Sequence, residues 1–90
     1  PNNGVFSIEL ESSELKELDI KVINIGGTVV YEESGVAING IYKKHLNLND
    51  LSEGVYNIFV VTESSTIVKK VIVVISVFIY VRFLINTLQT

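Results

Sequence analysis

The stretch that decides the fold is Leu51-Ser52-Glu53-Gly54-Val55-Tyr56-Asn57-Ile58-Phe59-Val60-Val61-Thr62, which is followed by Thr66-Ile67-Val68-Lys69-Lys70-Val71-Ile72-Val73. From Tyr56 onward, successive side chains alternate between the two sides of an extended chain, and both sides are largely apolar. This pattern predicts a strand in the centre of a sheet that is covered on at least one face. Gly54 marks the turn into that strand, and Glu63-Ser64-Ser65 has the length and polarity of a hairpin tip.

The other segments before residue 75 have the same character. They are short, rich in Val, Ile, Thr and Tyr, and separated by Gly, Asn, Asp and Ser, which is typical of an all-β sandwich. We predict strands at 5–10, 18–22, 28–32 and 45–49, a hairpin turn at Gly26-Gly27 and a less regular connection at 34–40. Residues 11–17 are polar and lack a strand pattern, so we predict a loop there, with one helical turn as the alternative. The count is six or seven strands.

Length and composition limit what this chain can be. Ninety residues form one domain with a modest core, because a chain of this size buries only about 60–65 % of its unfolded surface. Cysteine is absent, which excludes disulfides and thiolate metal sites. The formal net charge of −3 disfavours nucleic acid as a partner, since phosphates require clustered Lys and Arg. Methionine is absent and the chain begins at Pro1, so we interpret it as the end of a longer protein, without a signal peptide of its own.

We predict no catalytic residues, no metal site and no cofactor. His45 is the only histidine, so a Ser/His nucleophile pair would depend on it, and we expect it to be exposed at a strand end. Gly26-Gly27 lacks the Lys and the helix of a phosphate-binding loop. The acidic residues between Glu9 and Asp19 lack the spacing of a calcium loop. These observations favour a binding module over an enzyme.

Three ordered motifs resemble a known family. They are Asn2-Asn3-Gly4-Val5-Phe6, the hairpin Val22-Ile23-Asn24-Ile25-Gly26-Gly27-Thr28-Val29-Val30-Tyr31, and the Gly54-x-Tyr56 strand followed by a strand that carries Lys69 and Lys70. Their content and order resemble the C-terminal sorting domain of the type IX secretion system, also called the Por secretion system. A single Gly-x-Tyr strand is common among β-proteins, whereas three ordered motifs over residues 1–74 are much more specific.

The resemblance implies a small immunoglobulin-like antiparallel β-sandwich of about seven strands at the end of proteins secreted by Bacteroidetes-type bacteria. It also implies recognition in the periplasm by the type IX outer-membrane machinery and a final location at the cell surface or outside the cell, where a cell-surface sortase commonly removes the domain. The partner-binding residues that the motifs imply are Gly54, Tyr56, Lys69 and Lys70. Each also has a structural explanation, as a turn glycine, a core-edge aromatic residue or a solubilising charge on an edge strand.

The alternative function is an immunoglobulin-like adhesion or carbohydrate-binding module of a cell-surface protein. A sugar platform requires exposed Trp or Tyr rings, and the chain has no Trp and only Tyr31, Tyr42, Tyr56 and Tyr80. We expect Tyr56 to be at least partly buried, which leaves few rings for such a platform.

Residues 75–90 form an atypical apolar extension beyond residues 1–74. The apolar run from Val71 to Ile85 is shorter than the roughly 20 residues of a membrane-spanning helix and contains Arg82, so we do not expect membrane insertion. Its alternation predicts a strand, with a helix as the alternative, and one apolar face consists of Val77, Ile79, Val81, Phe83 and Ile85. Such a strand needs partners for its backbone and its apolar face. It either completes an edge of its own sandwich or pairs with a neighbouring chain, and we favour a homodimer through this face.

Overall fold

The computed structural model describes residues 5–47, 51–74 and 79–85. These residues form β-strands joined by short turns, which confirms the predicted all-β, sandwich-like class. The strands are β1 (Val5–Asn24), β2 (Val29–Asn47), β3 (Gly54–Val61), β4 (Thr66–Val73) and β5 (Ile79–Ile85). The described residues form five strands and not about seven, because β1 and β2 are each unusually long. None of the described residues forms a helix of the length and hydrophobicity that a membrane span requires.

β1 continues through residues 11–17, where the sequence predicted a loop. The strand has 20 residues, but its pairing with β2 shifts between Ser12 and Lys16, where three residues of β1 face only Asn39 of β2. A bulge of this kind interrupts the alternation between inside and outside, so the polar segment shows no strand pattern in the sequence. The predicted loop was therefore wrong, and the two strands predicted on either side of it are one strand.

β2 also joins segments that the sequence separated. The less regular connection predicted at 34–40 is instead part of this 19-residue strand. Gly35 and Gly40 have φ angles of 65° and 100°, which residues with a Cβ rarely adopt. These two glycines allow the strand to change direction while it remains paired with β1, which is why they resemble breaks in the sequence.

Two different strands pair with the two ends of β1, on the edge opposite β2. Residues 6–12 of β1 pair in parallel with β5, whereas residues 19–24 pair antiparallel with β3. β4 then pairs antiparallel with β3, so that the strand order is β2-β1-β3-β4 with β5 added at the other end of β1. The sheet thus has a β5 half and a β3–β4 half, which are joined through the long β1–β2 hairpin.

The inward side chains of both halves form one buried core. From the β5 half they are Phe6, Ile8, Leu10, Val81, Phe83 and Ile85, and from the β3–β4 half they are Leu18, Ile20, Val22, Ile38, Tyr56, Ile58, Val60 and Val73. A single cluster that draws on both halves requires the sheet to fold over itself, and this gives the two layers of a sandwich.

The structure confirms the prediction that β3 is central. β3 lies between β1 and β4, and its inward side chains Ile58 and Val60 are buried. The predicted hairpin tips are also present. In the β1–β2 turn, Asn24 Oδ1 accepts hydrogen bonds from the backbone N–H groups of Gly26 and Thr28. In the β3–β4 turn, the Thr62 N–H donates to the carbonyl of Ser65.

The tail forms a strand within this chain, as its alternation predicted. β5 lies beside β1, and Val81, Phe83 and Ile85 are buried in the chain's own core, while Ile79 is half-buried. Val77 lies outside the described residues. The sequence allowed the tail to complete an edge of its own sandwich or to pair with a neighbouring chain, and in the structure it pairs with β1 of its own sandwich. The homodimer stays a prediction, and it requires exchange of β5 between chains because its apolar face is already buried here.

Candidate functional site

Gly54 begins β3 in a backbone conformation that favours glycine. Its φ angle is 154°, whereas no neighbouring atom lies within 4 Å of the position that a Cβ would occupy. The conformation of the backbone, and not a lack of space, is therefore what selects glycine here. This agrees with the predicted role of Gly54 as the turn residue that leads into the strand.

Tyr56 is buried and fastens the start of β3 to the preceding turn. Its side chain is 4 % exposed, and its hydroxyl donates a hydrogen bond of 2.6 Å to the carbonyl oxygen of Ser52. This contact resembles the tyrosine corner of immunoglobulin-like sandwiches, in which a tyrosine hydroxyl binds the backbone a few residues upstream. Gly54 and Tyr56 thus fix the geometry of one turn, and the ring of Tyr56 presents little surface to a partner.

Lys69 and Lys70 lie on the edge strand β4 and point to opposite faces of the sheet. Lys69 pairs with the buried Ile58 and is on the core side, whereas Lys70 pairs with Asn57 and is on the outer side. Adjacent residues of a strand alternate in this way. The two lysines therefore have different surroundings, although the sequence offered no basis for assigning them different roles.

Lys69 connects β4 to β5, although these two strands are not paired in the sheet. Its Nζ donates a hydrogen bond to the backbone carbonyl of Arg82 and lies 5.0 Å from the centre of the Phe83 ring. An ammonium group above an aromatic face is attracted by the negative charge density of the ring. Lys70, in contrast, has no hydrogen bond or ion pair with any residue that the structure describes.

The four predicted partner-binding residues lie close together in one ladder. They occupy the section of the β3–β4 pairing that extends from the Gly54–Val73 pair to the Ile58–Lys69 pair. The structure therefore brings the Gly-x-Tyr motif and the lysine pair into one region, with the turn at one end and Lys69 at the other.

The sequence missed the exposed apolar surface beside this site. On the outer side of β3 and β4, Val55 pairs with Ile72, and Phe59 pairs with Val68. Ile72 and Val68 are 64 % and 48 % exposed. The sequence did indicate an apolar outer surface, because both faces of the β3 segment are apolar. The prediction, however, was only that at least one face of the sheet is covered, and it left the second face open.

A carboxylate between two tyrosines lies on β2. Glu33 accepts hydrogen bonds of 2.7 Å from the Tyr31 hydroxyl and 2.9 Å from the Tyr42 hydroxyl. The hydrogen bond from Tyr31 holds the pKa of Glu33 below its ordinary value. Partial burial acts in the opposite direction, and the hydrogen bond from Tyr42 lowers the pKa further. Burial and the hydrogen bond to Glu33 raise the pKa of both phenols. Since Tyr31 and Tyr42 both pack against the core, the contact is a structural one within the sandwich.

A second polar cluster attaches β5 to β1 on the outer side of the sheet. Glu9 lies 3.6 Å from Arg82 Nε and 4.0 Å from Lys43 Nζ, and it accepts a hydrogen bond of 2.8 Å from the Tyr80 hydroxyl. Arg82 also donates to Glu11. The bond to Glu9 raises the pKa of the Tyr80 phenol. Glu9 and Arg82 face each other across the β1–β5 ladder, whereas Tyr80 and Glu11 join them from the next positions on the same face, so the cluster favours this register.

His45 is exposed in β2, as predicted, and its one contact does not form a catalytic unit. Its Nδ1 lies 2.8 Å from Ser7 Oγ in the directly opposite position of β1. Among the described residues no carboxylate hydrogen-bonds the ring and orients it, as the base of a nucleophile pair requires. The described residues also contain no group of three or more His, Asp or Glu side chains arranged to hold a metal ion.

The tyrosines do not form a platform for a sugar. Tyr56 is buried, while Tyr31 and Tyr42 are half-buried and direct their hydroxyls to Glu33. Tyr80 is the tyrosine with a largely exposed ring, and its hydroxyl is bonded to Glu9. No feature of the described surface therefore favours the carbohydrate-binding alternative over the first hypothesis.

Comparison with protein families gives a match. Residues 1–74 match a family described as the secretion system C-terminal sorting domain. The matched residues include all of β1 to β4 and end before β5. No curated protein sequence matches the chain.

Proposed function

Because this chain belongs to the family of C-terminal sorting domains of the type IX secretion system, we propose that it directs an attached cargo protein across the outer membrane. The observation that carries this proposal is the family match over residues 1–74, which include the complete β3–β4 ladder. The family is one of secretion signals and not of enzymes. Its members interact with the secretion machinery, and their cargo is exported to the cell surface or the extracellular space.

In the proposed mechanism the folded domain is the signal that the secretion machinery recognises. The cargo enters the periplasm first, and the outer-membrane machinery then binds the sandwich through the region of the β3–β4 ladder. Gly54 and Tyr56 act there by holding the turn and the ladder in place, because one is fixed by its backbone conformation and the other is buried. Lys69 and Lys70 lie on an edge strand, whose exposed groups are accessible to a partner.

The proposal includes the fate of the domain after transport. A sortase at the cell surface removes it from the cargo, so the domain serves as a binding module first and as a protease substrate afterwards. In this scheme residues 1–74 are the sorting unit and residues 75–90 are an addition to it. β5 supports that unit by burying Phe83 against the core.

A reporter fusion tests the proposal. The full chain is attached to the C-terminus of a secreted reporter that has a signal peptide, and the fusion is expressed in a bacterium with a type IX system. We expect the reporter outside the cell, and we expect it in the periplasm when the same strain lacks the outer-membrane translocon. Retention of a folded fusion in the periplasm of the competent strain contradicts the proposal. The mass of the exported reporter shows separately whether the domain has been removed.

A further inference from the structure

The outer side of the β3–β4 ladder combines exposed apolar side chains with one cation that has no ion pair among the described residues. We define the β3–β4 outer face as Val55, Phe59, Val68, Lys70 and Ile72. Residues that pair directly across an antiparallel ladder lie on the same face. The pairings of this ladder therefore place Lys70 between the Val55–Ile72 pair and the Phe59–Val68 pair.

The apolar side chains of this face are clustered around one polar pair, because the Val55–Ile72 and Phe59–Val68 pairs lie on either side of the Asn57–Lys70 pair. Val68 and Ile72 are exposed on the edge strand, and the half-buried Val55 and Phe59 lie opposite them on β3. Single exposed apolar residues are normal on a protein surface, whereas a cluster of them bordered by polar groups is typical of a site of interaction. The four side chains contribute nothing to the core, which lies on the other side of the sheet.

We propose that the β3–β4 outer face is the surface through which the chain docks on a protein of the export machinery that presents a carboxylate among aliphatic side chains. This inference rests on the proposed function and adds the location and the chemistry of the contact. The carboxylate is required by Lys70, because its ammonium group has no hydrogen bond or ion pair with any described residue. A partner that covered Lys70 without an opposite charge would leave a buried, unpaired cation.

The charges on this face disfavour a second copy of the chain as the occupant. A symmetric dimer uses the same patch on both subunits and therefore brings the two copies of Lys70 towards each other. Like charges in such a contact oppose association. A dimer formed by exchange of β5 would not use this face, because β5 belongs to the other half of the sheet.

A membrane surface is also a poor occupant. Binding to anionic lipids requires clusters of about 4–8 Lys or Arg residues, since each contributes only about 1 kcal/mol. The neighbouring cation is Lys21 of β1, which pairs with Phe59, but its ammonium lies 3.9 Å from the carboxylate of Glu32. Lys70 is then the one cation of this face without a nearby carboxylate among the described residues.

The same geometry gives the two lysines of the motif different roles. Lys69 is already engaged by Arg82 and Phe83 of β5, so it acts within the sandwich. The side chain of Lys70 has no hydrogen bond or ion pair among the described residues, so its ammonium group is accessible to a partner. Lys70 is therefore the residue of the pair that determines docking.

Secretion of the reporter fused to the full chain tests the docking face. The patch variants are Lys70→Glu, Val68→Ser and Ile72→Ser, and the controls outside the face are Lys16→Glu and Ile41→Ser. Ile41 is a close match for Ile72, because it is also an isoleucine on the outer side of a strand and is 61 % exposed. Urea unfolding of each purified chain shows whether the variant retains the wild-type fold.

We expect the extracellular fraction to fall at least about tenfold for Lys70→Glu, as loss of one partner of an interfacial charge pair does. We expect a fall of about fivefold for each serine variant and none for the two controls. Export of the Lys70→Glu fusion at the wild-type level overturns the docking face and leaves the proposed function standing. Failure of the wild-type fusion to leave the periplasm removes the proposed function and the docking face together.

Crosslinking identifies the occupant in the same cells. A photoreactive residue at Val68, with Ile41 as the matched position, is activated during secretion, and the products are analysed by mass spectrometry. We expect a crosslink from Val68, and not from Ile41, to a machinery protein at a peptide that contains Asp or Glu. Crosslinks from Val68 to a second copy of the chain or to lipid overturn the proposal.

Discussion

Lys69 in β4 hydrogen-bonds the backbone carbonyl of Arg82 in β5, although the two strands are not neighbours in the sheet. The contact joins the β3–β4 half of the sandwich to the β5 half. The ammonium group of Lys69 lies over the ring of Phe83, so this charged residue helps to cover an aromatic side chain of the core. β5 is therefore part of the closed structure of this chain, although the family match ends before it.

The importance of β5 for stability is measurable at Phe83. Replacing a fully buried Phe with Ala costs about 3–5 kcal/mol, because apolar contacts are lost and a cavity remains. Phe83 is 0 % exposed, so we expect Phe83→Ala to lower the free energy of unfolding by that amount in urea denaturation. The matched control is Leu84→Ala at the adjacent position, which is 47 % exposed on the outer side. We expect it to change stability by less than about 0.5 kcal/mol, and equal effects of the two variants would contradict the docked position of β5.

Gly54 allows a test of the backbone conformation that begins β3. A residue with a Cβ in such a conformation costs about 1–3 kcal/mol, and we expect Gly54→Ala to reduce the free energy of unfolding by this amount. Gly26→Ala is the control, because Gly26 does not have a positive φ and the nearest atom to its added Cβ is an ordinary contact at 3.5 Å. A Gly54→Ala protein as stable as the Gly26→Ala protein would show that the turn does not require glycine.

Tyr56→Phe separates the structural role of the tyrosine from recognition. The variant keeps the buried ring and loses the 2.6 Å hydrogen bond to Ser52. We expect it to lower the free energy of unfolding by about 1 kcal/mol, the usual contribution of one hydrogen bond. Because the hydroxyl faces the chain's own backbone, export of the reporter should fall only at temperatures where the variant unfolds. Loss of export at a temperature where circular dichroism shows a folded domain would instead assign the hydroxyl to the partner.

The strongest signals in the sequence were those of local pattern. Alternation identified β3 and the strand character of β5, and the turn residues identified both hairpin tips. The bulge between Ser12 and Lys16 could not be predicted from the sequence, because its position depends on which residues of β2 pair with this part of β1. The parallel pairing of β5 with β1 was also not predictable, since alternation identifies a strand but not the strand beside which it lies.

The sequence predicted which residues belong to the candidate site, but it did not predict the role of each residue. The motifs selected Gly54, Tyr56, Lys69 and Lys70, and the β3–β4 register brings them together. The structure places the two lysines on opposite faces of β4, and the engagement of Lys69 depends on β5, whose position the sequence left open. The apolar residues around Lys70 resembled a second buried face, and the structure is needed to show that they remain exposed.

Glu33 makes the stability of the sandwich depend on acid pH. Hydrogen bonds from Tyr31 and Tyr42 favour the ionised carboxylate, so the pKa of Glu33 in the folded chain is lower than its ordinary value of 4.5. The folded state therefore binds the proton less readily than the unfolded state. The stabilisation is complete above the ordinary pKa and is lost as the pH falls through the lower folded pKa.

We expect the free energy of unfolding of the wild-type chain to decline below about pH 4.5, the ordinary value from which the pKa is lowered. Glu33→Gln keeps an amide oxygen that accepts from the tyrosines but has no proton to gain, so its decline over the same range should be shallower. Glu63→Gln, at the exposed β3–β4 hairpin tip, should retain the wild-type slope. Urea titrations at a series of pH values measure these slopes, and parallel curves for the wild-type and Glu33→Gln proteins would rule out the tyrosine-bonded carboxylate as the source.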